Sequence, residues 1–210
     1  MENQNHAFNY AYLLKQVKAR VLLAQKKAIY TANEEMLSMY WDIGKLLSES
    51  QKQIGWGNNA LEKLANDLKN DYPEMKGFSV RNCQFMIQFY NEYNQQLTNT
   101  KRAVSYLNNN EIVLPISKLG WSHNITLMQR TKDIKARYWY MIQCLKNGWS
   151  RDFLIEAIKQ DYYHSHGALA SNFDTTLPEI QAKQVKETLK DPYIFDMLTF
   201  TEEYDERDIE

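Results

Sequence analysis

The sequence predicts a mainly α-helical protein, and three observations carry that reading. Helix breakers are scarce: Gly 7 and Pro 4 make up about 5% of 210 residues, against a usual combined share of roughly 12%. Apolar residues recur at steps of three and four over long stretches. Serine, asparagine and glycine stand where such stretches start and stop. Hydrophobic residues at 44% leave enough apolar surface for a core, and the length allows one large domain or two small ones.

The elements follow in order. Between Tyr10 and Leu47 the stripe Val17, Val21, Ala24, Ala28, Ala32, Met36, Tyr40, Ile43, Leu47 predicts a long N-terminal helix. Such a helix needs an antiparallel neighbour or a dimer seam, or else a break near Thr31–Asn33. Gly55-Trp56-Gly57 stops it. Asn58 or Asn59 starts a second helix with the stripe Leu61, Leu64, Ala65, Leu68, which ends before Tyr72-Pro73. Ser79 caps a third, running to about Gln95. The polar stretch from Asn94 to Leu114 reads as a loop or small wing, with a strand-like piece at Glu111–Ile116. Ser122 caps a short helix to about Arg130. A helix from about Asp133 to Asn147 carries Ile134, Tyr138, Met141, Ile142 and Leu145 and stops at Gly148. Ser150 caps a last one to about Asp161. Beyond His164 the pattern weakens: Asn172–Pro178 is extended, Ile180–Leu189 is one more candidate helix, and Thr201–Glu210 is acidic. The organisation expected is a helical domain over 8–165, a short extended connector over 166–190 and an acidic tail over 191–210.

Charge is unevenly spread. Lys+Arg 25 and Asp+Glu 26 nearly cancel over the chain. Residues 1–165, however, hold 21 cations against 15 acids, and residues 166–210 hold 4 against 11. A basic body is what polyanion binding requires, although solvated helix faces give the same count.

Three helix starts share one pattern: Phe78-Ser79-Val80-Arg81, Trp121-Ser122-His123 and Trp149-Ser150-Arg151. An aromatic precedes a serine cap, and a basic side chain follows in the first turn. The cap contributes ~1 kcal/mol. A cation there opposes the helix dipole at a cost of roughly 0.3–1 kcal/mol. A phosphate bound at the helix N-terminus would offset that cost. Aromatics as core staples and cations turned to water would explain the pattern equally.

The helix from Ser79 is the sharpest feature. Cys83, Met86, Ile87 and Tyr90 share one face; Arg81, Gln84, Phe85, Gln88 and Glu92 share the other. With the helix before it, it makes a helix-turn-helix-like pair, and Arg and Gln suit base-edge contacts in the major groove. The segments 133–147 and 150–161 form a second such pair. The candidate nucleic-acid-binding residues are Lys76, Ser79, Arg81, Gln84, Gln88, Arg130, Lys132, Arg137 and Arg151. Phe85 facing outward and the acidic Glu92 count against base reading there.

Signals for an enzyme are weak. Acidic-x-Lys, half of a nuclease motif, occurs at Asp67-Leu68-Lys69, Glu74-Met75-Lys76 and Asp133-Ile134-Lys135, as often as chance supplies it. His164-Ser165-His166 has no matched ligand spacing nearby. Cys83 and Cys144 lie on apolar helix faces and read as core, not as a disulfide or zinc framework. No Gly-rich phosphate loop or G-x-S-x-G is present. The polar N-terminus is no signal peptide, and no run approaches the ~18 apolar residues of a membrane span. The expectation is a cytoplasmic protein with no cofactor, no metal and no membrane partner.

Several stretches together resemble the YhcG-like family of bacterial proteins that carry a PD-(D/E)XK nuclease domain. They are Tyr40-Trp41-Asp42-Ile43-Gly44, Leu64-Ala65-Asn66-Asp67-Leu68, Gly77-Phe78-Ser79-Val80-Arg81-Asn82, Trp121-Ser122-His123-Asn124, Gly148-Trp149-Ser150-Arg151, Asn172-Phe173-Asp174-Thr175-Thr176-Leu177-Pro178 and Asp191-Pro192-Tyr193. They keep the family's order over about residues 15 to 200. The resemblance implies a helical N-terminal domain that binds DNA, joined to a nuclease domain beginning near the Asp-Pro-Tyr segment. The family's catalytic residues then have no positions in this chain, which is either truncated or naturally short. The expectation is therefore a DNA-binding, targeting module that is not itself an enzyme, with DNA as partner. The alternative is a helical scaffold that forms a homodimer through the long N-terminal helix or docks another protein.

Overall fold

The computed structural model describes residues 2–54, 58–73, 75–97, 115–167, 184, 187, 188 and 190–194. It is mainly α-helical, with no strand among the described residues. Among the described residues six long helices follow in order: α1 Glu2–Ile54, α2 Asn58–Asp71, α3 Val80–Leu97, α4 Trp121–Arg130, α5 Ile134–Asn147 and α6 Arg151–Lys159; residues 184, 187, 188 and 192–194 are also helical. Short 3-10 turns at Lys76–Phe78 and Ile116–Lys118 lead into α3 and α4, and a π turn at Tyr163–Gly167 follows α6. Most of the expected wing lies outside the described residues. The part of the strand-like piece that is described, Pro115 and Ile116, enters a 3-10 turn instead.

Helix α1 is longer than its stripe predicts. It runs unbroken through Thr31–Asn33, where a break was one of the expectations. Asn33 does not interrupt the helix because its amide works sideways: buried, it donates to the carbonyls of Ser117 at 2.8 Å and Leu119 at 3.0 Å. That pair of bonds ties α1 to the turn before α4. From there on α1 lies along α3, its longest neighbour. The two backbones meet at Gly44, where a β-carbon would run into the main-chain carbonyl of Met86. Ahead of this region α1 stands off the body, with every residue from Tyr10 to Gln25 exposed.

The main core joins α1, α3, α4, α5 and α6. Trp121 is fully buried at its centre, with Tyr40 of α1 at 5.0 Å and Phe89 of α3 at 5.2 Å between ring centroids. Its indole Nε1 donates to the side-chain oxygen of Asn82 at 2.7 Å, and Asn82 Nδ2 donates to the carbonyl of Gly77 at 2.6 Å. Cys83 and Cys144 are free, buried thiols, and burial pushes both thiol pKa values up.

Local signals at the helix ends act as their residue types dictate. Ser79 Oγ accepts from the Asn82 N–H and Ser150 Oγ from the Phe153 N–H, each at 3.2 Å. Gly148 adopts the left-handed conformation (φ 60°, ψ 48°) and its N–H closes on the Cys144 carbonyl. Ser122 departs from expectation. Helix α4 starts two residues earlier, after Gly120, with no side-chain cap. Both the N–H and the hydroxyl of Ser122 donate to Asp191 Oδ2, at 2.8 and 2.9 Å.

That contact revises the expected boundaries. Ile194 is buried in the main core, Gln184, Thr188 and Asp191 are buried beside it, and Tyr193 meets Tyr40 edge-on at 6.4 Å. The first residues of the expected acidic tail, 191–194, are part of the helical body. Residues 168–183 and 195–210, which hold most of the expected connector and tail, lie outside the described residues.

Candidate nucleic-acid interface

The starts of α3 and α6 and one whole face of α4 enclose a cleft of about 310 Å³. Arg81 enters it from α3, Arg130 from the end of α4, and Arg151 from the first turn of α6. Ser79, Phe85 and Tyr193 also line it. The cationic groups are not consumed by the fold. Arg81 and Arg130 are exposed, and Arg151 meets only the neighbouring, exposed Asp152 at 3.3 Å. An exposed pair of that kind contributes ~0–1 kcal/mol and is readily exchanged. Arg81 lies over the half-buried ring of Phe85 at 5.5 Å. Phe85, expected to face outward, is packed against the main core and lies beneath the guanidinium.

A second hollow of about 190 Å³ adjoins the first through Ser122 and Arg151. Here the α4 N-terminus already has its anion. The Asp191 carboxylate occupies the position in which a phosphate would be held, accepting from Ser122 and from the Tyr193 N–H at 3.2 Å. His123, expected as the first-turn cation of α4, is buried and its pKa is pushed down, chiefly by desolvation. Its Nε2 lies 3.0 Å from the Trp149 carbonyl. A carbonyl only accepts, so Nε2 carries a proton and donates it to Trp149. Of the three helix starts with the shared pattern, two therefore present a cation to the cleft and the third is internally satisfied.

The other expected residues are placed as follows. Gln84 is exposed on α3 and Lys132 is exposed after α4, both outside the cleft lining. The Lys76 side chain lies outside the described residues. Gln88 is half-buried, and its amide donates to Glu92 Oε1 at 2.5 Å. Arg137 requires correction: its side chain is 4% exposed and takes no part in a surface. Nη1 pairs with Glu92 Oε2 at 2.8 Å, Nε and Nη2 donate to the Thr131 carbonyl at 3.1 and 2.6 Å, and the guanidinium lies 5.2 Å from the Tyr93 ring centre. Glu92, expected to repel a nucleic-acid backbone, is the partner of this internal cation. Among the described residues no group of three or more His, Cys, Asp or Glu is placed to hold a metal ion. His164 Nδ1 lies 2.7 Å from Asp161 Oδ1.

Sequence reasoning missed Asp191 and Tyr193 as parts of this region. The only signal was the Asp191-Pro192-Tyr193 stretch, and nothing local in it says that it returns to α4. The family model for the DUF1016 N-terminal domain matches residues 16–165. The chain belongs to that family. Helices α3 to α6 and the three arginines of the cleft all fall within the DUF1016 N-terminal domain match, whereas Asp191 and Tyr193 lie past it. The chain is also 23% identical over 213 residues to "Putative nuclease YhcG" of Escherichia coli (strain K12), a match covering 89% of this chain and 55% of that protein. It thus spans about half the length of the curated relative it matches. No solved structure matches it. Among the described residues no helix is long and apolar enough to cross a membrane.

Proposed function

We propose that this DUF1016 N-terminal domain is the nucleic-acid-binding, targeting module of a nuclease-like protein, and that it binds without cutting. The observation that supports this reading is the convergence of Arg81, Arg130 and Arg151 from three helices on one cleft. Exposed guanidinium groups around a concavity are suited to phosphate, and the start of α3, which has no acidic first turn, adds to the positive field. Fluorescence anisotropy with a labelled oligonucleotide should show affinity falling with salt, at a logarithmic slope of about −2 to −3 for three phosphate contacts. Arg130→Gln and Arg151→Gln should each weaken binding several-fold and lower the slope by about 1. Lys132→Gln, outside the cleft, should do much less. A wild-type chain that fails to bind at low salt defeats the proposal.

A second reading, self-association, is favoured by the first half of α1. Tyr10, Leu14, Val17, Val21, Ala24 and Ala28 alternate steps of four and three, a heptad seam along wholly or largely exposed helix. At 3.6 residues per turn this stripe lies about a third of a turn away from the face that α1 turns to the body beyond Asn33. In a parallel, in-register pair Arg20 faces Gln25, Lys27 faces Ala32 and Lys18 faces Leu13, so no like charges oppose. An antiparallel pair would bring the Arg20 and Lys27 edges together. The occupant that fits is a second copy in parallel. Light scattering should give a dimer that Val21→Glu converts to a monomer with unchanged helicity. A monomeric wild type at micromolar concentration excludes this reading.

A further inference from the structure

We infer that the strand taken by the arginine cleft is unpaired, an inference that rests on the nucleic-acid reading above and names its substrate class. Reading of a duplex needs a helix that projects into the major groove. Helix α3 offers little to project. From Val80 to Asn94 only Arg81, Gln84 and Asn91 are exposed, and the half-buried Gln88 between them is spent on Glu92. The strip beyond Gln84 also presents the Glu92 carboxylate and its internal partner, so a phosphate backbone lying along it gains no free cation there.

The free cations instead face into a hollow. Arg81, Arg130 and Arg151 reach it from separate helices, with Phe85 and Tyr193 in its wall. A duplex is convex and rigid on this scale and cannot place a base inside such a cleft. A single strand can, because its bases splay and its backbone bends. The Arg81 guanidinium carbon lies over the Phe85 ring, 5.5 Å from its centre, and both residues line the cleft, so a planar cation and an aromatic ring are offered together. Unpaired bases stack on such planes and on aromatic rings, whatever their identity. Arg130 and Arg151 then take the flanking phosphates. The polar groups nearest to them point the same way. Asn82 is buried and bonded to Trp121 and Gly77, and Thr126 donates its hydroxyl to the Ser122 carbonyl. Besides the arginines, Gln129 is the exposed amide of the lining, so base-edge reading is limited and binding should be tolerant of sequence.

The test is anisotropy of the full chain with a short pyrimidine DNA single strand and with a closed dumbbell duplex, using inorganic polyphosphate as a competitor that has charge but no base. The single strand should bind at least about tenfold more tightly than the dumbbell. Arg81→Lys, which keeps the charge and loses the plane, should weaken single-strand binding about fivefold or more while leaving competition by polyphosphate unchanged. Arg81 is exposed, so the variant should fold as the wild type does. A dumbbell bound as tightly as the single strand, or Arg81→Lys without effect, overturns the inference and leaves the charge-based reading standing. Binding to neither DNA at low salt overturns that reading as well.

Discussion

Alanine at position 44 should destabilise the protein by about 2–4 kcal/mol, although glycine to alanine inside a helix normally stabilises by about 1 kcal/mol. The sign reverses because the added β-carbon would meet the Met86 carbonyl, a backbone atom of α3 that cannot turn aside. Overpacking of this kind costs typically 1–3 kcal/mol, and more where a backbone has to yield. To relieve it α1 and α3 must part, which loosens Met36, Tyr40, Met86 and Phe89 together. For a chain of this length the thermal midpoint should fall by about 5–15 °C. Circular dichroism melts of wild type and Gly44→Ala measure it directly. An alanine variant as stable as the wild type would mean that the two helices are not in backbone contact at this point.

Arg137→Ala should cost about 3 kcal/mol or more and leave nucleic-acid affinity per folded molecule unchanged. The guanidinium is the hub of a buried set of bonds. Its removal strands the Thr131 carbonyl and takes the cation from Glu92, whose side chain is 26% exposed and only partly able to turn to water. Arg137→Met, which keeps the bulk, should cost less than Arg137→Ala, and so should Glu92→Gln, because the glutamine oxygen can still accept from the guanidinium and the Thr131 carbonyl keeps its bonds. Urea unfolding at pH 7 compares the three. If Arg137→Ala unfolded at the wild-type midpoint but bound oligonucleotide more weakly, the residue would belong to the surface and not to the interior.

These two positions show what could and could not be read from the chain alone. Local chemistry was legible: Ser79 and Ser150 bind backbone N–H groups within their own first turns, and Gly148 takes the left-handed turn that its side-chain-free backbone permits. The first-turn position also singled out Arg81 and Arg151, and the basic stretch supplied Arg130; the structure brings these three together. What a charge count cannot register is depth. Arg137 was grouped with the exposed cations because nothing beside it in sequence reveals Glu92, 45 positions earlier, as its partner. Ser122 reads as a cap because its acceptor lies 69 residues away. Asn33 was a candidate break because its partners belong to a turn 84 and 86 residues further on. In each case a long-range partner decided the outcome.

The return of Ile194 and Asp191 to the body bears on how the chain is made. Sixty-nine residues separate Ser122 from Asp191, a delay of roughly 3–14 s at ribosomal speeds of about 5–20 residues per second. By the end of that interval α1 to α6 have been synthesised, while the start of α4 still lacks its carboxylate and the core still lacks Ile194. The nascent protein therefore stays incomplete until this distant segment has been made and Asp191 closes on the start of α4.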